Sequence, residues 1–207
     1  NSSDLKNWRV DLMAAISQNS FAELHGDIKV AEDPMASDFA IEGSWSQLQW
    51  PWQEDSALLV DAASGELSLD GSLQDYRLIL SSSLQALEQT WTIDSYLRGD
   101  LQQATINSLE VKSALVDLAV NGDVAWDPLL NYQLDGEWKN LQIPASLSGV
   151  DVESYTGIFN LKGEKDLFDL KVDSDFIVDE IPLILNLLAT SPEAGITDIR
   201  ADTKIAD

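Results

Sequence analysis

The sequence predicts an all-β protein built mainly from antiparallel strands. Three observations carry this. Apolar residues recur at every second position through most of the chain, glycine followed by a small or acidic residue punctuates those runs, and helical windows are few. Strict alternation gives each strand one apolar and one solvated face, whereas a parallel sheet covered on both sides would show continuous apolar runs.

Taken in chain order, Phe21 to Val30 alternates and carries the only histidine, His25. In Trp91 to Leu101 the odd positions Trp91, Ile93, Leu97 and Leu101 are apolar. Val116, Leu118, Val120, Val124 and Trp126 alternate with Asp117, Asn121 and Asp123; Tyr132, Leu134 and Trp138 with Gln133, Asp135 and Glu137; Phe168, Leu170 and Val172 with Asp169, Lys171 and Asp173. The glycines of Gly26-Asp27, Gly65-Glu66, Gly71-Ser72, Gly99-Asp100, Gly122-Asp123, Gly136-Glu137 and Gly163-Glu164 fit either bulges within strands or hairpin turns, and the pattern does not sort them. Helix is expected at Asp11 to Asn19, weakly, and at Asp179 to Ala189, where Pro182 suits a first turn. The second of these is too apolar to lie free, so it is expected to pack across the apolar face of the sheet. Ala31–Ser37, Gln53–Ser56 and Ile143–Ser154 read as connections too short for flexible domain linkers, which favours one continuous sheet. Its exposed edges are expected at Phe21–Val30 and Ile196–Ile205.

Composition narrows the function. The chain has 207 residues, with 12 Lys+Arg against 36 Asp+Glu, so 12 − 36 gives a formal charge of −24. That charge argues against nucleic acid and anionic lipid headgroups, which need basic surfaces. An apolar share of 44% excludes a disordered acidic tail. There is no cysteine, hence no disulfide, thiolate zinc site or thiol nucleophile. The longest apolar stretch, Ile181 to Ala189, is far short of the roughly 20 residues of a spanning helix. Asn1 is not an initiator methionine and no signal-like region opens the chain, so a segment of a longer protein is expected, without the parent's anchor.

Catalytic constellations are missing. One histidine cannot build a triad or a multi-histidine metal site, and no P-loop, GxGxxG or GxSxG occurs. Asp173, Asp175, Asp179 and Glu180 lack the glycine and ligand spacing of a calcium loop, so a solvated strand end is the better reading. No enzyme, metal or cofactor is expected. The seven tryptophans include Trp45, Trp50 and Trp52 in one short stretch. A sugar-stacking platform is one reading of them; filling the apolar face of a wide sheet is the other, and parity favours it for Trp126 and Trp138. The units Ile41-Glu-Gly-Ser-Trp45, Val120-Asn-Gly-Asp-Val-Ala-Trp126 and Leu134-Asp-Gly-Glu-Trp138 resemble one another and suggest a sheet that grows by similar strands.

Trp45-Ser-Gln-Leu-Gln-Trp-Pro51, Ser64 to Gly71, Tyr76-Arg-Leu-Ile-Leu80, Gly99-Asp-Leu101, Leu109, Gly122 to Pro128 and Leu130 to Leu134, in that order, resemble the DUF490 region of the TamB family. These are translocation and assembly module proteins of the AsmA-like, repeating β-groove kind. The resemblance spans about Gly43 to Ser174. Leu84 to Trp91 departs from the family pattern in having neither glycine nor proline, and Tyr132 stands where tryptophan is common.

The resemblance implies an elongated, curved, mostly antiparallel sheet (a β-taco) with one or two short helices. It further implies a single internal periplasmic segment over 1–207, with approximate sub-units 1–60, 61–140 and 141–207, whose Gram-negative parent is anchored in the inner membrane. Its expected partners are phospholipid acyl chains in a groove and a TamA-like outer-membrane protein of the Omp85 class, with outer-membrane protein or autotransporter clients. The candidate lining is Leu67, Leu69, Leu78, Leu80, Ile93, Leu97, Leu118, Val120, Val124, Trp126, Tyr132, Leu134, Trp138, Phe168, Leu170 and Val172. Two other readings stay open at this point: a platform that receives β-strands of outer-membrane clients, and a closed β-sandwich binding carbohydrate or protein. Groove or closed core is likewise open.

Overall fold

The computed structural model describes residues 6–15, 20–50, 60–165, 167–191 and 198–205. Gln53–Ser56 and Trp52, singled out above, lie outside them. The chain divides into two compact units, Asn1–Asn107 and Ser108–Asp207.

The first unit is an antiparallel meander: β1 (Lys6–Ala15), β2 (Phe21–Val30), β3 (Asp38–Trp50), β4 (Val60–Ser72), β5 (Asp75–Ala86) and β6 (Gln89–Gly99), each pairing with the next. β7 (Gln103–Lys112) contains the boundary between the units. The second unit continues the pattern with β8 (Asp117–Ala125), β9 (Asn131–Ile143), β10 (Val152–Glu164), β11 (Leu167–Val178), β12 (Ile181–Thr190) and β13 (Asp198–Ile205). The all-β, antiparallel expectation is borne out. Helix among the described residues is one 3₁₀ turn, Pro34–Ala36, and the four-residue α1 (Ala145–Ser148) in the β9–β10 connection.

Both longer helical expectations are corrected. Asp11 falls within β1, and 16–19 lie outside the described residues. Ile181–Ala189 does not pack across the sheet as a helix; it is β12, hydrogen-bonded between β11 and β13. Leu183, Leu185, Leu187 and Ala189 share its inner face, while Ile184 and Asn186 face outward. The outward Ile184 makes a period-2 strand look like a continuous apolar run, and Pro182 is tolerated because it sits at the strand's start. The edge expectation is corrected for Phe21–Val30, which is β2 and lies between β1 and β3.

The glycines are also sorted. Every described glycine except Gly149 lies in a strand. Tight turns instead use other residues in the left-handed region: Leu87 and Glu88 (φ 53° and 61°) between β5 and β6, and Asp179 and Glu180 (φ 48° and 68°) between β11 and β12. Two adjacent positive φ values give a type I′-like hairpin turn, whose twist matches that of the strands. This is how Leu84–Trp91 turns without glycine or proline.

A branched leucine is poorly suited to that conformation, so Leu87→Asn combined with Glu88→Gly is expected to stabilise the protein by about 1 kcal/mol. Urea unfolding should show a higher midpoint with an unchanged slope.

Candidate functional site

Each unit has an apolar inner face whose rows run across the strands. In the first unit, Ile41, Leu69, Leu78 and Leu97 lie opposite one another in turn, as do Leu67, Leu80 and Ser95; Ile93 faces Ser82. In the second, Tyr132 faces Val124 on one side and Gly163 on the other, followed by Phe168. Leu134 stands between Gly122 and Leu161, with Leu170 next; Val120, Gly136, Phe159 and Val172 form a third row; Leu118, Trp138, Gly157 and Ser174 form a fourth. Of the sixteen residues proposed from parity, the structure brings those of β4, β5 and β6 together in one unit and those of β8, β9 and β11 together in the other. Trp126 is the exception: it lies just beyond β8 and is 43% exposed.

The same parity extends to residues that the sequence reading left out: Leu24, Ile28, Phe39, Ile41 and Trp45 in the first unit, and Phe159, Leu161, Phe176, Leu183, Leu185 and Leu187 in the second. The usable signal was a glycine two positions before an aromatic, as in Gly43-Ser-Trp45, Gly136-Glu-Trp138 and Gly157-Ile-Phe159. Two positions along a strand is the same face, so glycine and ring are co-facial. At Gly136 and Gly157 the glycine then faces a ring of the next strand, whereas Gly43 faces Leu24 and Leu67. Trp45 pairs with Gly65, Trp138 with Gly157, Phe159 with Gly136 and Tyr132 with Gly163, and a Cβ built at any of these glycines would overlap that ring.

Between β9 and β10 the exchange is reciprocal, because each strand supplies a ring and the glycine under the other's ring. Trp138 stacks on Phe159 with centroids 6.4 Å apart and tilts against Phe176 at 6.2 Å. Its indole N–H donates to Ser154 Oγ at 2.9 Å, and Ser154 Oγ lies 2.7 Å from Ser174 Oγ. Both oxygens also lie within hydrogen-bond distance of the Thr156 carbonyl, at 3.2 and 3.0 Å, so that one hydroxyl donates to that carbonyl and the other to its fellow serine. In the first unit Ser82 Oγ donates to the Ser64 carbonyl at 3.1 Å. These three inner-face hydroxyls are thus engaged by the protein itself.

That face is only partly covered. Among the described apolar residues only Ala104, Val120, Trp138 and Ala189 rank as buried, and most of the lining is half-buried.

The opposite face is charged. Arg77 forms a two-point pair with Asp70 directly across the ladder (2.9 and 3.1 Å), and Arg98 one with Asp75 (2.8 and 2.7 Å). The Arg98 guanidinium holds the Asp75 carboxyl below its usual range. His25 is exposed on β2, as parity predicts, with Nδ1 2.9 Å from Asp11 Oδ1 and Nε2 3.7 Å from Glu23 Oε2. The hydrogen bond to Asp11 chiefly raises the imidazole pKa; desolvation opposes it, and the charges of Glu23 and Asp11 add smaller upward contributions.

The family model described as "TamB, N-terminal domain" matches residues 2–186, most of the chain. No curated protein and no solved structure matches.

Gly157→Ala should displace the Trp138 indole from its seat and cost about 2 kcal/mol, read as a lower urea midpoint and a red-shifted tryptophan emission. Gly149→Ala, with nothing within 4 Å of the added methyl, should cost only the strain of its φ of 84°, about 1 kcal/mol, and leave the emission unchanged.

Because the folded pKa of His25 lies above 6.5, its contribution is fully present below the unfolded pKa and fades as pH rises through the folded one. Stability measured across that range should lose this alkaline fall in His25→Gln, and Asp11→Asn should bring the His25 proton-NMR titration back down toward 6.5.

Proposed function

The chain belongs to the TamB N-terminal domain family, and from that premise we propose that it is a non-catalytic, lipid-shielding segment of a TamB-like envelope protein. In this reading the inner face of each unit lines a hydrophobic groove in the periplasm. Acyl chains of phospholipids lie in that groove as they pass between inner and outer membranes. The parent protein, together with a TamA-like outer-membrane partner, would couple this to the assembly of outer-membrane proteins and autotransporters.

The observation that carries the reading is an apolar face that is half-exposed and on which the hydroxyls of Ser82, Ser154 and Ser174 are engaged by the protein itself. Such a face offers an acyl chain a way out of water worth about 0.8 kcal/mol per buried methylene, so roughly 8 kcal/mol for ten. It is lined mainly by aliphatic and aromatic side chains, so headgroups stay at the rim. Carboxylates on the other face keep the sheet dissolved and discourage stacking. Among the described residues no helix is long and apolar enough to cross a membrane.

Leu134 and Glu137 test it. Leu134 is half-buried on the inner face of β9 and Glu137 is exposed on the outer face of the same strand. In the full-length protein in cells, a photo-crosslinker at position 134 should capture lipid and one at 137 should not. Leu134→Arg should leave the protein folded and abundant but unable to support envelope lipid balance, because a charge in the groove costs several kcal/mol of desolvation. Protein alone captured at both positions would overturn the lipid reading in favour of a strand-receiving platform. Unfolding by Leu134→Arg, with no lipid at position 134, would return the face to a purely structural role.

A further inference from the structure

The two units repeat one pattern. β3 and β9 have 13 residues each, β4 and β10 have 13, and β5 and β11 have 12. β10 and β11 begin 92 residues after β4 and β5, as 152 − 60 and 167 − 75 both give. Gly43, Trp45, Leu48, Gln49 and Pro51 recur as Gly136, Trp138, Leu141, Gln142 and Pro144. The register recurs as well. Trp45 lies opposite Gly65 and Gly65 opposite Ser82, while Trp138 lies opposite Gly157 and Gly157 opposite Ser174. A Cβ built at Gly65 or at Gly157 meets the same indole atoms, Cζ2 and Cε2, so the two indoles lie on their glycines alike. Ser82 Oγ is 3.1 Å from the Ser64 carbonyl and Ser174 Oγ 3.0 Å from the Thr156 carbonyl, the same place in each copy.

One copy is plugged and the other is not. Trp138 is covered by Phe159 and Phe176, its N–H is bonded to Ser154 Oγ, and it is 9% exposed. At the same places the first unit has Leu67, Leu84 and Ala62, so both covering phenyl rings and the accepting hydroxyl are gone. Trp45, Gly65 and Ser82 are half-buried where Trp138, Gly157 and Ser174 are buried. Trp91, opposite Leu84, adds a ring where the second unit has Leu183, but its N–H is held by the Ala86 carbonyl at 2.9 Å and Trp45 stays half-buried. Among the described residues none accepts a hydrogen bond from the Trp45 N–H.

We propose that the seat over Trp45 and Gly65 binds one acyl chain of a glycerophospholipid, with the Trp45 indole N–H donating to its ester carbonyl. This rests on the lipid reading above and narrows it to one place and one polar contact. The second unit shows what chemistry fills such a seat: apolar groups against the indole and one oxygen on its N–H. An acyl ester supplies both. A bare hydrocarbon would cover the ring and leave the N–H without a partner, and a sugar would meet the N–H but leave the rows Leu67–Leu80 and Leu69–Leu78 wet. Those two rows continue from the indole across β4 and β5 and give the rest of the chain an apolar floor.

Indole N–H resonances of the chain labelled with ¹⁵N-tryptophan test this, each assigned by a Trp→Phe substitution. Dihexanoylphosphatidylcholine below its micelle concentration should shift the Trp45 resonance saturably and leave Trp138 unmoved. The ether-linked analogue, which has no carbonyl, should bind roughly fivefold more weakly. Leu67→Phe with Ala62→Ser gives the first unit the second unit's plug, and Gly43 already stands opposite position 67 as Gly136 stands opposite Phe159. That pair should weaken binding at Trp45 at least about tenfold without lowering the urea midpoint. The reverse pair, Phe159→Leu with Ser154→Ala, should make the Trp138 resonance respond to lipid, and it decides alone if the grafted variant unfolds. A Trp45 resonance unmoved by lipid would overturn the proposal, as would equal shifts at Trp138, a shift that survives the plug, or a reverse pair that lipid leaves unmoved. Lipid captured at position 134 with Trp45 unmoved would remove this seat and leave the groove reading standing; lipid at neither place would remove both.

Discussion

Apolar side chains in this protein have to gain their burial sideways. The described strands of each unit pair with their neighbours in the chain, and among the described residues helix amounts to little more than a four-residue turn, so none of them forms a helical layer over the inner faces. Contact must come from residues on adjacent strands. A ring standing upright beside another ring leaves most of its area in water; a ring lying across a neighbouring glycine covers backbone with one face and reaches the next strand with its edge. The pairs Trp45 on Gly65, Phe159 on Gly136, Trp138 on Gly157 and Tyr132 on Gly163 all use this arrangement.

The same constraint accounts for where polar groups go. A serine on a half-open apolar face can bond to water or to the protein, and Ser82, Ser154 and Ser174 bond to backbone carbonyls or to each other. Around Trp138 this produces the densest part of the lining. There the indole is held by a hydroxyl at its N–H, by glycine beneath it and by Phe159 and Phe176 at its sides. Opposite charges on the outer face pair across the ladder, as Arg77 does with Asp70, so the strands are tied on both sides even though the net charge is far from zero.

Placing glycine under rings has a consequence for the turns. Glycine is the residue most at ease with positive φ, yet the hairpins at Leu87-Glu88 and Asp179-Glu180 and the irregularities at Gln47 and Asn140 use residues that carry a Cβ. The strain is accepted at turns because the strands on either side define the register. A larger residue under Trp138 or Phe159 would instead expel the ring and uncover the face. Sequence-level turn rules treat glycine as punctuation, and here most of it is a packing surface.

The sequence by itself determined the fold class, the antiparallel pairing and the face on which most lining residues stand. Each of these follows from period-2 alternation, which is a local property of strands. It also carried the family, through the order of motifs such as Ser64 to Gly71 and Gly122 to Pro128. Only the tertiary structure decided that Ile181–Thr190 is a strand, since a short, mostly apolar run fits helix and strand alike until β11 and β13 offer their hydrogen bonds. It likewise decided which residue lies opposite which. Register depends on partners distant in the chain, and so the seating of Trp138 on Gly157, the bonding of Ser154 to Ser174 and the exposure of Trp126 beyond the end of β8 were invisible in any single strand.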